Sequence, residues 1–489
     1  MKLLNATDNQ DSTPTAGSDF GSPGIAIGQS TGKHWVAYAG TYLFTLMLYL
    51  RPNELFPEIF GTLSIIKFIA ITALLAYTLG KLSSGEPLTI WPIEVKAVMA
   101  MVVLSLLIMP FSAAPNEGWD MFNDTYSKVV LIFLLMINLV DTRQRLISLF
   151  NLIIAGGIWV AYFAIQIYIE GEDVLRAKGG LTRIAGVGGG MFGNPNDLAN
   201  ALDMLIPIAV AMGMCRKGVV RLWYWGIAVL FAISVTITYS RGAFLGLMTI
   251  GVFLALKLGR GRWFKMIIVG SIVVAILSVA SPGGFGKRVA TILSVDSDKT
   301  GSSHQRRELL KRGLALASVH PGGVGMGNYH IYSLNEEKAH NAYIETSVEL
   351  GFLGLIAYLF LNFAPIFRLR RFERELGKPT NEREEEAYFL CVGLQCTLIA
   401  YLVCSFFASI QYYWFLYYPV AHAIAFCRIY RREQTADSTS QELAPKPADG
   451  TGWVKGGTLW QPSHAGILWS NVYQQATKNF KRRLEERAG

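Results

Sequence analysis

The 489-residue chain is poor in charge: 16% of its residues are Asp, Glu, Lys or Arg, while 52% are hydrophobic. So few charged groups cannot clothe a soluble surface, which excludes a cytosolic globular enzyme. Cysteine is scarce. The five cysteines, Cys215, Cys391, Cys396, Cys404 and Cys427, lie in or beside apolar runs, and none stands at metal-ligand spacing from a histidine. They read as small packing residues, and the sequence implies neither a metal site nor a disulfide framework. The segment 1–33 lacks the basic-then-apolar order of a cleavable leader and reads as a disordered cytoplasmic extension rich in Ser, Thr, Gly and Asp. No Gly-Lys-Ser/Thr ends a glycine-rich stretch, so no phosphate loop and no ATP site are expected. Neither alternating ten-residue strands nor internal repeats occur, which argues against an outer-membrane barrel and against a repeat-built transporter.

Long apolar runs fill the remainder. A bilayer core takes about 20 apolar residues per helix. On that measure twelve spans are expected, near 35–50, 60–80, 93–112, 122–140, 146–168, 197–214, 220–239, 242–257, 263–281, 342–367, 387–409 and 411–427. The fold class is therefore an all-α polytopic integral membrane protein, with a transmembrane domain over 34–427. The polar tail 428–489 reads as cytoplasmic and largely disordered, with a basic helix possible over Asn471–Arg487.

Basic residues fall on one side of this arrangement. Lys81, Arg143 and Arg145, Arg216 to Arg221, Lys257 to Lys265, Arg368 to Arg383 and Arg428 to Arg432 occupy alternate short loops. Excess Lys and Arg marks the cytoplasmic side. The opposite, outer side holds two long loops, 169–196 and 282–341. These carry Arg176, Arg183, Arg306, Arg307, Lys311 and Arg312, either as solvated residues or as a pocket for an anion such as phosphate.

Four motifs lie on that outer side. "AHNAYIETSVELGFLGLIAYLF", Ala339 to Phe360, reads as a membrane helix opened by His340 and Asn341 and carrying Glu345 and Glu349. On one continuous helix His340, Ile344, Ser347, Gly351 and Gly354 share a stripe, with His340 about 16 Å above Gly351 and the glycines admitting a neighbouring helix. "TYSRGAFLGL" sets Arg241 between two spans, where a cation is functional or snorkels to headgroups. The pair of spans around Ser240 reads as two helices or as one broken unit. "RIAGVGGGMFGNPNDLANALDMLIP", Arg183 to Pro207, offers glycine-rich backbone and then cap chemistry, with Asn196 or Asp197 starting a helix. "SSHQRRELLKRGLALASVHPGGVGMGNYH", Ser302 to His330, reads as a short basic helix lying on the membrane, followed by a turn-rich loop. "DSD" at Asp296–Asp298 resembles a metal-binding pair but lies where nucleotide sugars are not supplied.

Together, in this order, these motifs resemble the O-antigen ligase and polymerase superfamily of bacterial envelopes, over roughly 120–427. "YLRPNELFP", Tyr49 to Pro57, adds a weaker likeness to ligase-like members. The resemblance implies a lipid-linked glycosyltransferase fold of GT-C-like type in the bacterial inner membrane, with 169–196 and 282–341 as periplasmic loops. It implies transfer of an undecaprenyl-diphosphate-linked glycan to an acceptor hydroxyl, in a metal-independent, inverting reaction without cofactors. The acceptor is lipid A–core for a ligase, the growing glycan for a polymerase, or a protein for an O-glycan ligase. A transporter of lipid-linked glycan is the reading from another class. His340 is the expected general base, and Arg241 and Arg306 the expected stabilisers of the leaving diphosphate. Arg183, Arg307, Asn341, Glu345 and Glu54 are expected to contact substrate, with Glu54 an alternative base. Arg306 and Arg307 compete for one role, and the spacing to Leu310 favours Arg306.

The alternating charge makes a direct prediction. A topology reporter fused after Ser297 should behave as external, and one fused after Lys378 as cytoplasmic. A cytoplasmic signal from the Ser297 fusion would overturn the assignment of sides.

Overall fold

Among the described residues the long apolar runs become helices, and a polar residue before a run often caps the first turn. The Thr142 side chain accepts from the Arg145 amide, Asn194 from those of Asn196 and Asp197, Ser240 from Ala243, and Asn381 from Glu384. Such caps satisfy donors that a helix start leaves unpaired. A computed structural model describes residues 34–51, 65–171, 174–176, 182–188, 190–259, 302–333 and 338–442. Contacts group Met1–Gln434 and Thr435–Gly489 as separate units.

The helices in chain order are α1 (Trp35–Leu50), α2 (Ile65–Ser83), α3 (Ile93–Ile108), α4 (Pro115–Met121), α5 (Ser127–Leu139), α6 (Arg143–Glu170), α7 (Pro195–Met214), α8 (Gly218–Ile237), α9 (Arg241–Leu258), α10 (Ser302–Val319), α11 (Tyr329–Tyr332), α12 (Ala342–Glu349), α13 (Gly351–Leu376), α14 (Glu382–Ser405) and α15 (Trp414–Glu442). A π turn at Phe122–Tyr126 joins α4 to α5. A hairpin of β1 (Val174–Arg176) and β2 (Thr182–Ile184) pairs Leu175 with Arg183. Among the described residues, eight helices are long and apolar enough to cross a membrane, and Trp35–Leu50 is a shorter apolar helix. The expected span 263–281, "DSD" and Glu54 lie outside the described residues, as do 1–33 and the tail beyond Glu442. The last helix runs past the expected end at 427. Chain reversal at Thr238–Ser240 makes α8 and α9 two helices, not one broken unit.

α7 lies at the centre and packs against α6, α8, α9 and α14. The two ends of the bundle differ in chemistry. At one end the basic loops meet carboxylates. Arg368 of α13 forks onto Glu94 of α3 with two contacts of 2.7 Å. Arg143 forks onto Glu386 at 2.5 Å, and Tyr430 donates to the same carboxylate at 2.7 Å. Lys257 meets Glu373 at 2.6 Å, and Gln395 donates to that carboxylate at 3.0 Å. The opposite end gathers the caps of α7, α9 and α12, the start of α13, and the turn between α14 and α15. The four motifs converge there.

Glu94 is fully buried. Breaking a buried pair by removing one partner costs about 3–5 kcal/mol, whereas replacing both with apolar groups is often neutral. Arg368→Met should therefore melt far earlier than wild type in detergent, and Glu94→Leu/Arg368→Met should regain most of the loss. If the double variant melts no later than the single one, the pair is not what holds α3 to α13.

Candidate functional site

α12 and α13 do not form the continuous helix expected over 342–367. The chain breaks at Leu350, and Gly351 takes φ +69°, a conformation that L side chains rarely adopt. The cause is a loop, not a neighbouring helix. A Cβ on Gly351 would lie 2.5 Å from the Pro321 carbonyl oxygen, and Phe352 donates its amide to that same oxygen at 2.9 Å. Val324 and Gly325 donate to the carbonyls of Val348 and Glu349, both at 2.9 Å. A Cβ on Gly354 would meet Leu350 of its own turn. The glycines thus seat the "HPGGVGMGNYH" loop on the helix break, and the stripe from His340 to Gly354 is not a straight face.

Asn341 starts α12. Its Oδ1 accepts from the amides of Tyr343 and Ile344, both at 3.0 Å. His340, just before the cap, is half-buried and has φ +49°. Glu345 is buried and joins two segments. It accepts from the Ala339 amide at 3.3 Å, from Gln411 Nε2 at 2.9 Å and from the Ser409 hydroxyl. The peptide carrying His340 is therefore tied to the turn at 406–413. Tyrosines hold that turn from within the bundle. Tyr401 donates to the Ile410 carbonyl at 3.4 Å, and Tyr417 to the Gln411 carbonyl at 3.3 Å. Ser405 donates to the Tyr343 hydroxyl at 3.0 Å.

Glu349, one turn beyond Glu345, accepts from the Tyr329 amide at 3.4 Å. The Tyr412 hydroxyl lies near it but not at ordinary hydrogen-bond geometry, so among the described residues neither that hydroxyl nor Glu349 Oε2 has a partner. Burial, and after it the charge of Glu345, push the Glu349 carboxyl up to about 8. Lys338 completes the cluster. Its surroundings work against the ammonium, but Tyr413, Glu345, Asp197 and Glu349 outweigh them and raise it above the ordinary lysine value. Asp197 belongs to the Asn-Pro-Asn-Asp segment, whose charge thus acts on the residue two before His340. The cap there is Asn194, with Pro195 as the first helical residue, so α7 starts earlier than expected. The preceding glycines pack tightly. A Cβ on Gly186 would lie 2.5 Å from the Phe192 carbonyl oxygen.

Arg241 opens α9 and is half-buried. The next residue, Gly242, packs on Phe407, whose Cβ lies 2.7 Å from where a Gly242 Cβ would be. Arg241 and the His340 segment thus flank the same 406–413 turn. α10 docks on α12: a Cβ on Gly313 would lie 2.3 Å from Ile344, and the Tyr329 hydroxyl meets the Leu309 carbonyl at 3.4 Å. Position 306 falls on the helical stripe of Leu309, Gly313 and Leu316, one turn earlier. Arg307 lies on the opposite, exposed face with Lys311, which pairs with Glu308 at 3.0 Å. The side chains of Arg183 and Arg306 lie outside the described residues.

Sequence reading missed Lys338, Asp197 as a partner, and the polar turn Ser405–Tyr413. The two spans at 387–409 and 411–427 had left no room for that turn. Two serines and a glutamine between apolar runs were the available signal.

A family model described as O-Antigen ligase matches residues 226–359. The match supports the likeness to the O-antigen ligase and polymerase superfamily. It contains Arg241, Arg306, Lys338, His340 and both glutamates, and excludes Glu54, Arg183 and the 405–413 turn. No curated protein matches the chain.

The raised Glu349 carboxyl carries a pH prediction. A carboxyl bound more tightly to its proton in the folded state contributes stability below its ordinary value of 4.5, and that contribution is lost as pH rises toward about 8. Wild type should lose melting temperature across this window more steeply than Glu349→Gln. Parallel curves would mean that Glu349 does not hold its proton.

Proposed function

We propose that the chain transfers a glycan from undecaprenyl diphosphate to an acceptor hydroxyl at the periplasmic face of the bacterial inner membrane, as a ligase-type glycosyltransferase of surface polysaccharide synthesis. The observation that carries this reading is where His340 lies. It sits at the bundle end opposite the carboxylate-paired basic loops, anchored through Glu345 to the turn that Gly242 also packs on, within the segment matching the O-antigen ligase family.

A lipid-borne donor approaches sideways with its diphosphate at headgroup depth. As the bond from the sugar C1 to the diphosphate oxygen breaks, negative charge grows on the leaving group. Arg241 and Arg306 supply delocalised positive charge to it, and no metal is required. The acceptor oxygen attacks C1 from the opposite side, so the configuration inverts, and His340 takes the hydroxyl proton. Glu345 is not free for that role, because both its oxygens already accept hydrogen bonds. Burial pushes the Glu349 carboxyl toward its neutral form. The two glutamates position the segment, and Lys338 offsets the charge of Glu345. Arg306 is favoured over Arg307 because position 306 lies on the α10 stripe facing α12, whereas Arg307 is exposed. The same chemistry serves a polymerase, which differs only in presenting a growing glycan as acceptor.

His340→Ala should lower turnover about 10²–10⁴-fold, the range for a positioned proton acceptor, with donor binding retained. Arg241→Ala and Arg306→Ala should abolish transfer, and Arg→Lys should restore only part of it. Substantial turnover by His340→Gln, with the acid limb of the pH profile intact, would remove His340 as the base.

A further inference from the structure

At the opposite end of the bundle, a pocket of about 530 Å³ opens between α1, α6 and the α7–α8 connection. Its walls include Arg143, Gln144, Ser148, Asn151, Arg216 and Glu386. Glu386 is 7% exposed and carries the one negative charge, against two guanidiniums that are 40% and 35% exposed. The carboxylate engages Nε and Nη2 of Arg143 and lies 3.7 Å from Nη1 of Arg216. Nη1 of Arg143, and Nε and Nη2 of Arg216, meet no acceptor among the described residues. The pocket is therefore cationic and has fork donors to spare.

Below the arginines, Gln144, Ser148 and Asn151 form a stripe at steps of four and three along an otherwise apolar helix. Gln144 and Asn151 are exposed, and Asn151 accepts from the Tyr224 hydroxyl at 2.7 Å. α6 has 28 residues, so it spans about 42 Å at 1.5 Å per residue, more than the roughly 30 Å hydrocarbon core. The excess of about 12 Å, shared between its two ends, leaves the Arg143 end in the headgroup layer. The neighbouring α8 faces outward there with Val219, Leu222 and Trp223, each more than half exposed, an apolar and aromatic surface suited to acyl chains.

We propose that this pocket binds the headgroup of an anionic phospholipid from the leaflet at the basic end. The phosphodiester sits between Arg143 and Arg216, the glycerol oxygens lie along Gln144, Ser148 and Asn151, and the acyl chains run over α8. Basic pockets between membrane helices on the cytoplasmic side take such headgroups. The site needs the membrane reading but not glycan transfer.

The test uses full-length protein in phosphatidylcholine nanodiscs with and without phosphatidylglycerol, read by native mass spectrometry and melting temperature. Wild type should retain phosphatidylglycerol through delipidation and melt later with it. Arg216→Gln and Gln144→Leu/Asn151→Leu should each bind it about tenfold more weakly while melting as wild type does in phosphatidylcholine alone. Arg383→Gln, the same charge change at that end but outside the pocket, should bind as wild type does. If Arg216→Gln fails to fold, the uncharged double variant carries the test. Equal retention of both lipids, unchanged binding by the pocket variants, or equal loss in Arg383→Gln would refute the site. Displacement of phosphatidylglycerol by inorganic phosphate alone would show a free-anion site and refute the lipid assignment.

Discussion

The Glu345 carboxylate accepts from the backbone before His340 and from two side chains of the turn at 406–413. Burying a carboxylate without partners carries a large desolvation penalty, so these contacts are obligatory and not incidental. They fix the histidine segment to a turn that tyrosines brace from inside the bundle and that Gly242 meets on its other side. α10 reaches the same centre through Gly313 on Ile344. Three motifs far apart in sequence therefore meet at α12 and the 406–413 turn, which Glu345 ties to each other.

A second carboxylate within one helical turn sharpens the constraint. Two buried carboxylates cannot both be charged cheaply. Burial pushes Glu349 toward its neutral form, and the ammonium of Lys338 offsets the charge of Glu345. The opposite end of the bundle solves the same problem differently. There Glu94, Glu373 and Glu386 each have a guanidinium or ammonium in direct contact. One end is neutralised by pairing; the other keeps polar groups near each other with capacity unused. That contrast suits a bundle whose chemistry occurs at one face.

Much of this was legible in the sequence. Hydropathy places the helices because lipid demands uninterrupted apolar runs, and the histidine, the arginine between spans and the long loops stand out because lipid disfavours them. The break at Leu350 was not legible. Periodicity continues across it, and only the loop at Pro321–Gly325 forces Gly351 into a left-handed conformation. The 406–413 turn was hidden for a related reason: Phe406, Phe407, Tyr412 and Tyr413 keep it apolar enough to read as span. Lys338 and Asp197 were invisible because their electrostatic influence on each other is tertiary, acting between separate loops. Pairwise burial of charge leaves no periodic trace.

This chain is proposed to make the glycosidic bond itself. Purified protein should be reconstituted with an undecaprenyl-diphosphate-linked saccharide, a lipid or glycan acceptor and excess chelator, without ATP. Product should then be followed by mass and anomeric configuration. The expected result is a joined product of inverted configuration, with release of undecaprenyl diphosphate in equal amount. Movement of the intact donor across the bilayer with no new bond formed would contradict it.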